Sequence, residues 1–490
     1  MTASRSLLDR TQIVAAVTEL LGAGAVDTDD LHLRAASVDR FHKYEAAHGI
    51  YDGPFPAAIA RPRSTQDVAR VLEFAQAQRV AVVPRTGGTG TEGGLEVVIE
   101  DSLVLDGSAM DHIVSINEED MTATAQCGVP LKVLEERLQA RGLTTGHSPQ
   151  SQPIAQLGGL VATRSIGQYS TLYGGIEDMV LGLEAVLPGG HIVRVKNVPR
   201  RAAGPDIRHT LIGNEGALAF ITEVSVKVFP WYADSARYRG YLVEDFGAAI
   251  GVLREVVVAG YRPAVARVYS PQDARQHFPD HPMDRNLVVF SAMGPAPLVQ
   301  ATIEACDDAA AGVPHTAVDP ERIGSWFEGL NWGPEKIEAE KAQMLSEGRL
   351  GYTTEVSIDW SRTAALYDAV MRRIETTFER FEDINLLGAH SSHSYHTGTN
   401  LYFVYDYDIR CEPREEIALY HQPLNEIIVT EALAHGGSMV HHHGVGKYRT
   451  PWIREEHGSA YRLLRGLKDA FDPEGVMNPG TIYPLALDEA

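Results

Sequence analysis

Residues 84–94 read Pro-Arg-Thr-Gly-Gly-Thr-Gly-Thr-Glu-Gly-Gly, eleven residues with five glycines, directly behind the apolar run Val80-Ala81-Val82-Val83. The apolar run reads as a short buried strand that ends at Pro84. Glycines in this number permit positive φ angles, so successive backbone N–H groups can turn inward and form a concave nest for an anion. A phosphate is the expected guest. Gly88, Gly90 and Gly93 match GxGxxG, yet Leu95-Glu96-Val97-Val98-Ile99 continues as a β-branched, extended segment instead of a helix. No acidic residue ends a second strand at the distance a dinucleotide fold requires, and the Gly-Lys-Ser/Thr tail of a P-loop is missing. The loop therefore belongs to a phosphate-binding fold of another kind.

The chain around it alternates helix and strand. A helix is expected over about 11–21, another capped by Thr65 with Val68, Val71, Leu72 and Ala75 on its buried face, and a hairpin from 183–187 and 191–195 turning at Pro188-Gly189-Gly190. Beyond residue 230 the texture changes to longer helices, for example 297–311 and 362–381. At 490 residues two or three domains are expected. The pattern divides into an extension (1–54), a first domain (55–230), a second domain (231–430) and a carboxy-terminal segment (431–490) that folds back onto the first. The chain carries 43 Lys plus Arg against 65 Asp plus Glu, a net charge of −22, which disfavours nucleic acid and anionic membrane surfaces as partners. Cys127, Cys306 and Cys411 are far apart, with neither a disulfide framework nor a zinc spacing, and no apolar stretch is long enough to span a membrane. A cytoplasmic protein without an integral membrane segment is expected.

Several motifs in order resemble the vanillyl-alcohol-oxidase-type FAD-binding flavoproteins. They are the loop 84–90, Gly204-Pro205-Asp206 with Gly213-Asn214-Glu215-Gly216 and Ile221-Thr222-Glu223, and the ending Phe471-Asp472-Pro473 with Met477-Asn478-Pro479-Gly480. Within that superfamily the chain is most similar to the alkyldihydroxyacetonephosphate synthases, through Thr145-Gly146-His147-Ser148-Pro149, Leu157-Gly158-Gly159, Tyr173-Gly174-Gly175-Ile176-Glu177-Asp178 and His441-His442-His443-Gly444-Val445-Gly446-Lys447. Asn214 and Ala219 depart from the pattern. The resemblance implies an α+β fold: a two-subdomain FAD-binding domain of the p-cresol-methylhydroxylase type with an α+β substrate cap. It implies FAD held by Pro84, Arg85, Thr86, Gly87, Gly88, Thr89 and Gly90, by His147, Gln150, Ser151, Gln156 and Gly158, by Thr163, Arg164 and Ser165, and by Glu215, Gly216, Ala217 and Ile221. No histidine stands in the loop, so noncovalent FAD is expected, with His390, His393 or His396 as the alternative points of attachment. A homodimer is expected on the same ground.

Three consecutive histidines are rare, and on an extended segment His441 and His443 would share one face while His442 points to the other. The resemblance gives His441, His442 and His443 a role in activity and makes Tyr402 the acid/base. Without it, Tyr402 reads as a core aromatic beside Phe403 and Tyr405. Arg267 lies in an apolar strand pattern, where an arginine either pairs with a carboxylate or faces an anionic ligand. The D-2-hydroxy-acid dehydrogenases of the superfamily carry HxGDGNxH and a later glutamate as metal ligands. Here the tract His396-Thr397-Gly398-Thr399-Asn400-Leu401-Tyr402 is a residue shorter and His442 replaces the glutamate, so no metal is expected. Where the synthases use an arginine for the substrate phosphate, this chain offers Lys336 or Lys341 as substrate contacts, or Arg349. The expected function is FAD-dependent oxidation of a hydroxyl-bearing small molecule by hydride transfer to flavin N5. The alternative is synthase-like exchange of an acyl for an alkyl group through an N5 adduct, without net redox.

Overall fold

The computed structural model describes residues 6–278, 283–331 and 333–485. The outer ends of the expected extension and carboxy-terminal segment, 1–5 and 486–490, lie outside the described residues. Four strands form the first sheet in the order Val26–Asp27, Ala58–Ala60, Leu103–Asp106, Val82–Arg85, with Leu103–Asp106 parallel to both of its neighbours. Parallel strands need a crossover, and the helix Thr65–Gln78 supplies it. Val68, Val71, Leu72 and Ala75 are fully buried against Val82, Leu103 and Leu105, each larger side chain stabilising the layer by about 1.5–3 kcal/mol. The cap is Ser64, one residue before the expected Thr65, because the Ser64 hydroxyl accepts the Asp67 amide at 3.1 Å. The glycine loop leaves the carboxyl end of Val82–Arg85, where open α/β sheets place their ligands.

The second sheet is antiparallel, in the order Ile113–Asn117, Thr122–Gln126, Phe220–Lys227, Val180–Val186, Ile192–Val195, the last two forming the hairpin expected around Pro188-Gly189-Gly190. The carboxy-terminal segment returns to the first sheet: the Val82 amide donates to Val476 O and the Asn478 amide to Val82 O, both at 2.8 Å. Residues 6–54 are woven into the body, since Val26–Asp27 is an edge strand of that sheet.

Seven antiparallel strands build the cap sheet, in the order His315–Val318, Arg237–Val243, Asn286–Ala292, Val265–Tyr269, Ile384–Ser391, Gly398–Asp408, Arg349–Asp359. Its side chains alternate. Leu401, Phe403, Tyr405 and Tyr407 enter a core with the helices Phe246–Val258, Thr363–Thr377 and Gln422–Ala434. Tyr402 and Val404, pointing the other way, line the cavity between the cap sheet and the glycine loop. This alternation separates Tyr402 from the Phe403 and Tyr405 core positions. Among the described residues no helix is long and apolar enough to cross a membrane.

Candidate active site

A cavity of about 510 Å³ opens between the glycine loop, the tracts 149–168 and 215–221, and the inner face of the cap sheet. The loop lies flat on the 150s tract: a Cβ on Gly87 would stand 2.8 Å from both Gln156 N and Ile154 O, and a Cβ on Gly159 would stand 2.6 Å from Thr86 Oγ1. Gly88 has φ +68°, the left-handed turn that aims neighbouring amides inward. In the same wall, Arg85 Nη1 and Gln156 Oε1 are buried without a hydrogen-bond partner, a donor and an acceptor that a bound group must satisfy. A glycine cradle for phosphates, a buried guanidinium and an orphan amide oxygen together fit FAD.

Pro84 to Gly90, Gln150, Ser151, Gln156, Gly158, Thr163, Ser165, Glu215, Gly216 and Ile221 all line this cavity. Three expected contacts do not. His147 is buried behind the wall, 3.2 Å from Ser165 Oγ, and burial pushes its imidazole down to about 3, so it is neutral. Arg164, at φ +52° behind the helix Leu157–Ala162, sends its side chain out to Glu177 at 3.4 Å. Ala217 faces the carboxy-terminal helix, its carbonyl accepting from Lys468 Nζ at 2.8 Å.

Strand register assembles the cap side of the site. Tyr269 pairs with His390, His390 with Tyr402, and Tyr402 with Glu355, so one row crosses four strands. The Tyr402 hydroxyl lies 2.5 Å from His443 Nε2, and His443 Nδ1 lies 3.2 Å from Glu92 Oε1 and 3.7 Å from Glu355 Oε1. Fully buried Arg449 joins both acids, donating to Glu92 Oε2 at 3.1 Å and standing 3.6 Å from Glu355 Oε1. Burial opposes ionisation of Glu355, but Arg449 and the three histidines outweigh it and hold the carboxyl down at about 2. Burial pushes the Tyr402 phenol well above its usual value, so it keeps its proton at neutral pH.

Glu355 also shapes the histidine triplet. It accepts the backbone amides of His441 and His443, the latter at 2.7 Å, which bends a segment expected to be extended. As a result His442 and His443 line the cavity, whereas His441 turns away to Tyr395 OH at 2.7 Å. Burial lowers the His441 imidazole to about 4, and His442 is lowered further by burial with its two neighbours adding to it. Ligand-type atoms of Glu355, His441 and His442 lie within 4.8 Å of one another. Because the Glu355 oxygens already accept two backbone amides beside Arg449, the cluster reads as a hydrogen-bonded scaffold.

Arg267 is buried in the cavity wall. It donates to Tyr269 OH at 2.7 Å, approaches the rings of Trp326 and Phe327 at 5.9 Å, and leaves Nε without a partner. Among the described residues no carboxylate pairs with it, which favours the ligand-facing reading. Lys336 and Lys341 do not line the cavity: Lys336 Nζ donates to Gly329 O at 2.6 Å and Asn331 O at 2.9 Å, and Lys341 is exposed. Both ride on the helix Pro334–Glu347, which turns Glu340 inward. The cations that reach the cavity there are Arg40 and Lys43, which hold Glu340 at 2.6 and 2.8 Å. Sequence reasoning missed these two, along with Glu92, Glu355, Asp273 and Arg449. Glu355 carried a usable signal, a lone acid in the β-branched strand pattern Tyr352-Thr353-Thr354-Glu355-Val356.

Residues 56–196 match the FAD binding domain family and residues 234–482 the C-terminal domain of FAD linked oxidases. An uncharacterized FAD-linked oxidoreductase, YgcU of Escherichia coli O157:H7, is 55% identical over 98% of this chain and 99% of its own length. Alkyldihydroxyacetonephosphate synthase of Dictyostelium discoideum is 28% identical over 89% of this chain and 74% of its own. A solved alkyldihydroxyacetonephosphate synthase superposes with a TM-score of 0.79 at 22% identity, covering 98% of this chain and 89% of that one.

Proposed function

The chain belongs to the FAD-linked oxidases, with FAD as its cofactor, and on that premise we propose that it oxidises a hydroxyl-bearing small molecule. The observation that carries this reading is Tyr402, whose hydroxyl is backed by His443 on the wall of the same cavity as the glycine loop. Bound, oxidised FAD accepts a hydride at N5. The chain supplies the rest. A phenol held protonated is a hydrogen-bond donor, suited to grip the oxygen of a hydroxyl and orient its carbon; the buried Glu92–Arg449–Glu355 group fixes His443, and His443 fixes the phenol. Arg267, with an unpartnered Nε, supplies an anchor for a carboxylate or another anionic group of the substrate.

The second reading is exchange of an acyl for an alkyl group without net redox, which the synthase relatives favour. Lys336 and Lys341, the lysines expected to meet a substrate phosphate, do not line the cavity, so under this reading the phosphate would fall to Arg267. Replacing Tyr402 by Phe should leave the visible flavin spectrum intact and abolish anaerobic bleaching by the hydroxy compounds that reduce the unaltered protein. Bleaching at an undiminished rate would remove Tyr402 from the chemistry.

A further inference from the structure

Tyr402, as a protonated phenol, is a poor proton acceptor, yet oxidation of a hydroxyl needs one. The neighbouring strand carries a better candidate. His390 stacks on Tyr402 with ring centroids 4.8 Å apart and planes 9° from parallel. Its Nδ1 lies 2.6 Å from Asp273 Oδ2, and the other oxygen of Asp273 lies 3.4 Å from His277 Nε2. The spacing is fixed by packing. A Cβ on Gly388 would stand 2.9 Å from the Asp273 amide, and Ser270 Oγ accepts the Ala389 amide at 3.0 Å, so the helix Pro271–His277 lies flush on the strand that carries His390. Asp273 is fully buried, and no other hydrogen bond joins the His390 ring to the described residues. A carboxylate on Nδ1 fixes the proton there and leaves the lone pair on Nε2, in a ring that lines the cavity.

We propose that His390 is the catalytic base, taking the substrate's hydroxyl proton at Nε2, with Asp273 as its positioning residue. The proposal rests on the hydroxyl-oxidation reading. In the step, the O–H proton passes to Nε2, its bonding pair becomes the second bond of the new carbonyl, and the C–H bond breaks with its pair leaving as hydride to oxidised FAD. The substrate loses two electrons and the flavin gains them. The groups facing His390 are Asp273, His277, Arg267, Tyr269, Tyr402 and His393. Burial lowers the imidazole, with Arg267 and His277 adding to this and Asp273 opposing it, so the ring is neutral and able to accept at neutral pH. Asp273 is held well below the usual carboxylate range, because the two histidines outweigh its burial.

Two measurements on the FAD-loaded protein test this. In nitrogen-15 histidine NMR, the signals lost in His390→Gln should be those of a neutral imidazole protonated at Nδ1, and Asp273→Asn should move them toward the Nε2–H form. An Nε2–H tautomer or an imidazolium at neutral pH in the unaltered protein would overturn the proposal. In anaerobic stopped flow with glycolate and D-lactate as probes, His390→Gln should keep its flavin spectrum and slow reduction by about 10²–10⁴-fold, with the acid limb of the rate profile lost. Reduction at the unaltered rate would sink the base and leave the oxidation reading standing. If neither probe nor any wider set of alcohols reduces the unaltered protein while the tautomer is as expected, the oxidation reading fails instead, and with it the base role. Flavin that stays on the denatured chain and is freed in His390→Gln would also overturn the proposal, since an alkylated ring nitrogen cannot accept a proton.

Discussion

At the scale of single residues, Glu355 links fold to chemistry. It is fully buried, holds the amides of His441 and His443, and shares Arg449 with Glu92. Its carboxyl is depressed from 4.5 to about 2, so its contribution to stability is present above about 4.5 and is lost as pH falls toward 2. Glu355→Gln should therefore melt lower than the unaltered protein at neutral pH, by about 3–5 kcal/mol for a broken buried ion group, and the gap should narrow steadily in acid. A gap independent of pH would refute the ionised state. Gly87 makes a simpler prediction. Because a Cβ there meets Gln156 N and Ile154 O at 2.8 Å, Gly87→Ala should purify with little FAD, read as the ratio of visible to ultraviolet absorbance. The glycine loop was legible in sequence because its constraint is local. Glu355, Arg449 and Asp273 were not, because their partners lie 94, 94 and 117 residues away, as in Arg449 with Glu355 O and His390 with Asp273.

Among elements, the cap sheet decides what faces the cavity, and a period of two decides it. Tyr402 between Leu401 and Phe403 was ambiguous in sequence, since period alone does not say which face is inward. Register answers this by lining up Tyr269, His390, Tyr402 and Glu355. The helix Pro334–Glu347 is held by Glu340 to Arg40 and Lys43, and Lys43 Nζ also donates to Gly351 O at 2.6 Å. Lys43→Met should raise amide hydrogen exchange across 334–347 and leave the strand 398–408 unchanged; equal exchange would show that the clasp does not hold the helix. Glu416, preceding the π-turn Ile417–His421, is fully buried with Oε2 unpartnered, and burial raises its carboxyl to about 7. A raised acid stabilises below its unfolded value near 4.5, and that contribution is lost as pH rises through about 7. Glu416→Gln should thus gain on the unaltered protein between mildly acid and alkaline pH, by at most about 3 kcal/mol, as read from paired thermal melts. A constant difference across that range would contradict the raised value.

Seated between the glycine loop and the seven-stranded cap sheet, FAD would clamp the two walls of the cavity together, which would link its binding to stability. At a hundredfold excess over its Kd, FAD should add about 2.7 kcal/mol to unfolding, and an apoprotein melting at the same temperature would contradict the clamp. The alternation of helix and strand, the hairpin and the family motifs were all legible from the sequence, being short-range patterns. The entry of Arg40 and Lys43 into the cavity was not, because residues 1–54 read only as an extension and their partner Glu340 lies 300 and 297 residues away. The central claim, oxidation of a hydroxyl at a flavin, is tested most directly by the anaerobic visible spectrum of the purified protein during titration with hydroxy acids and alcohols, then with acyl-dihydroxyacetone phosphate. A hydroxy compound should bleach the flavin and appear as its carbonyl product in equal amount. Bleaching by the acyl ester alone, with colour restored by a fatty alcohol and an ether lipid formed, would contradict it.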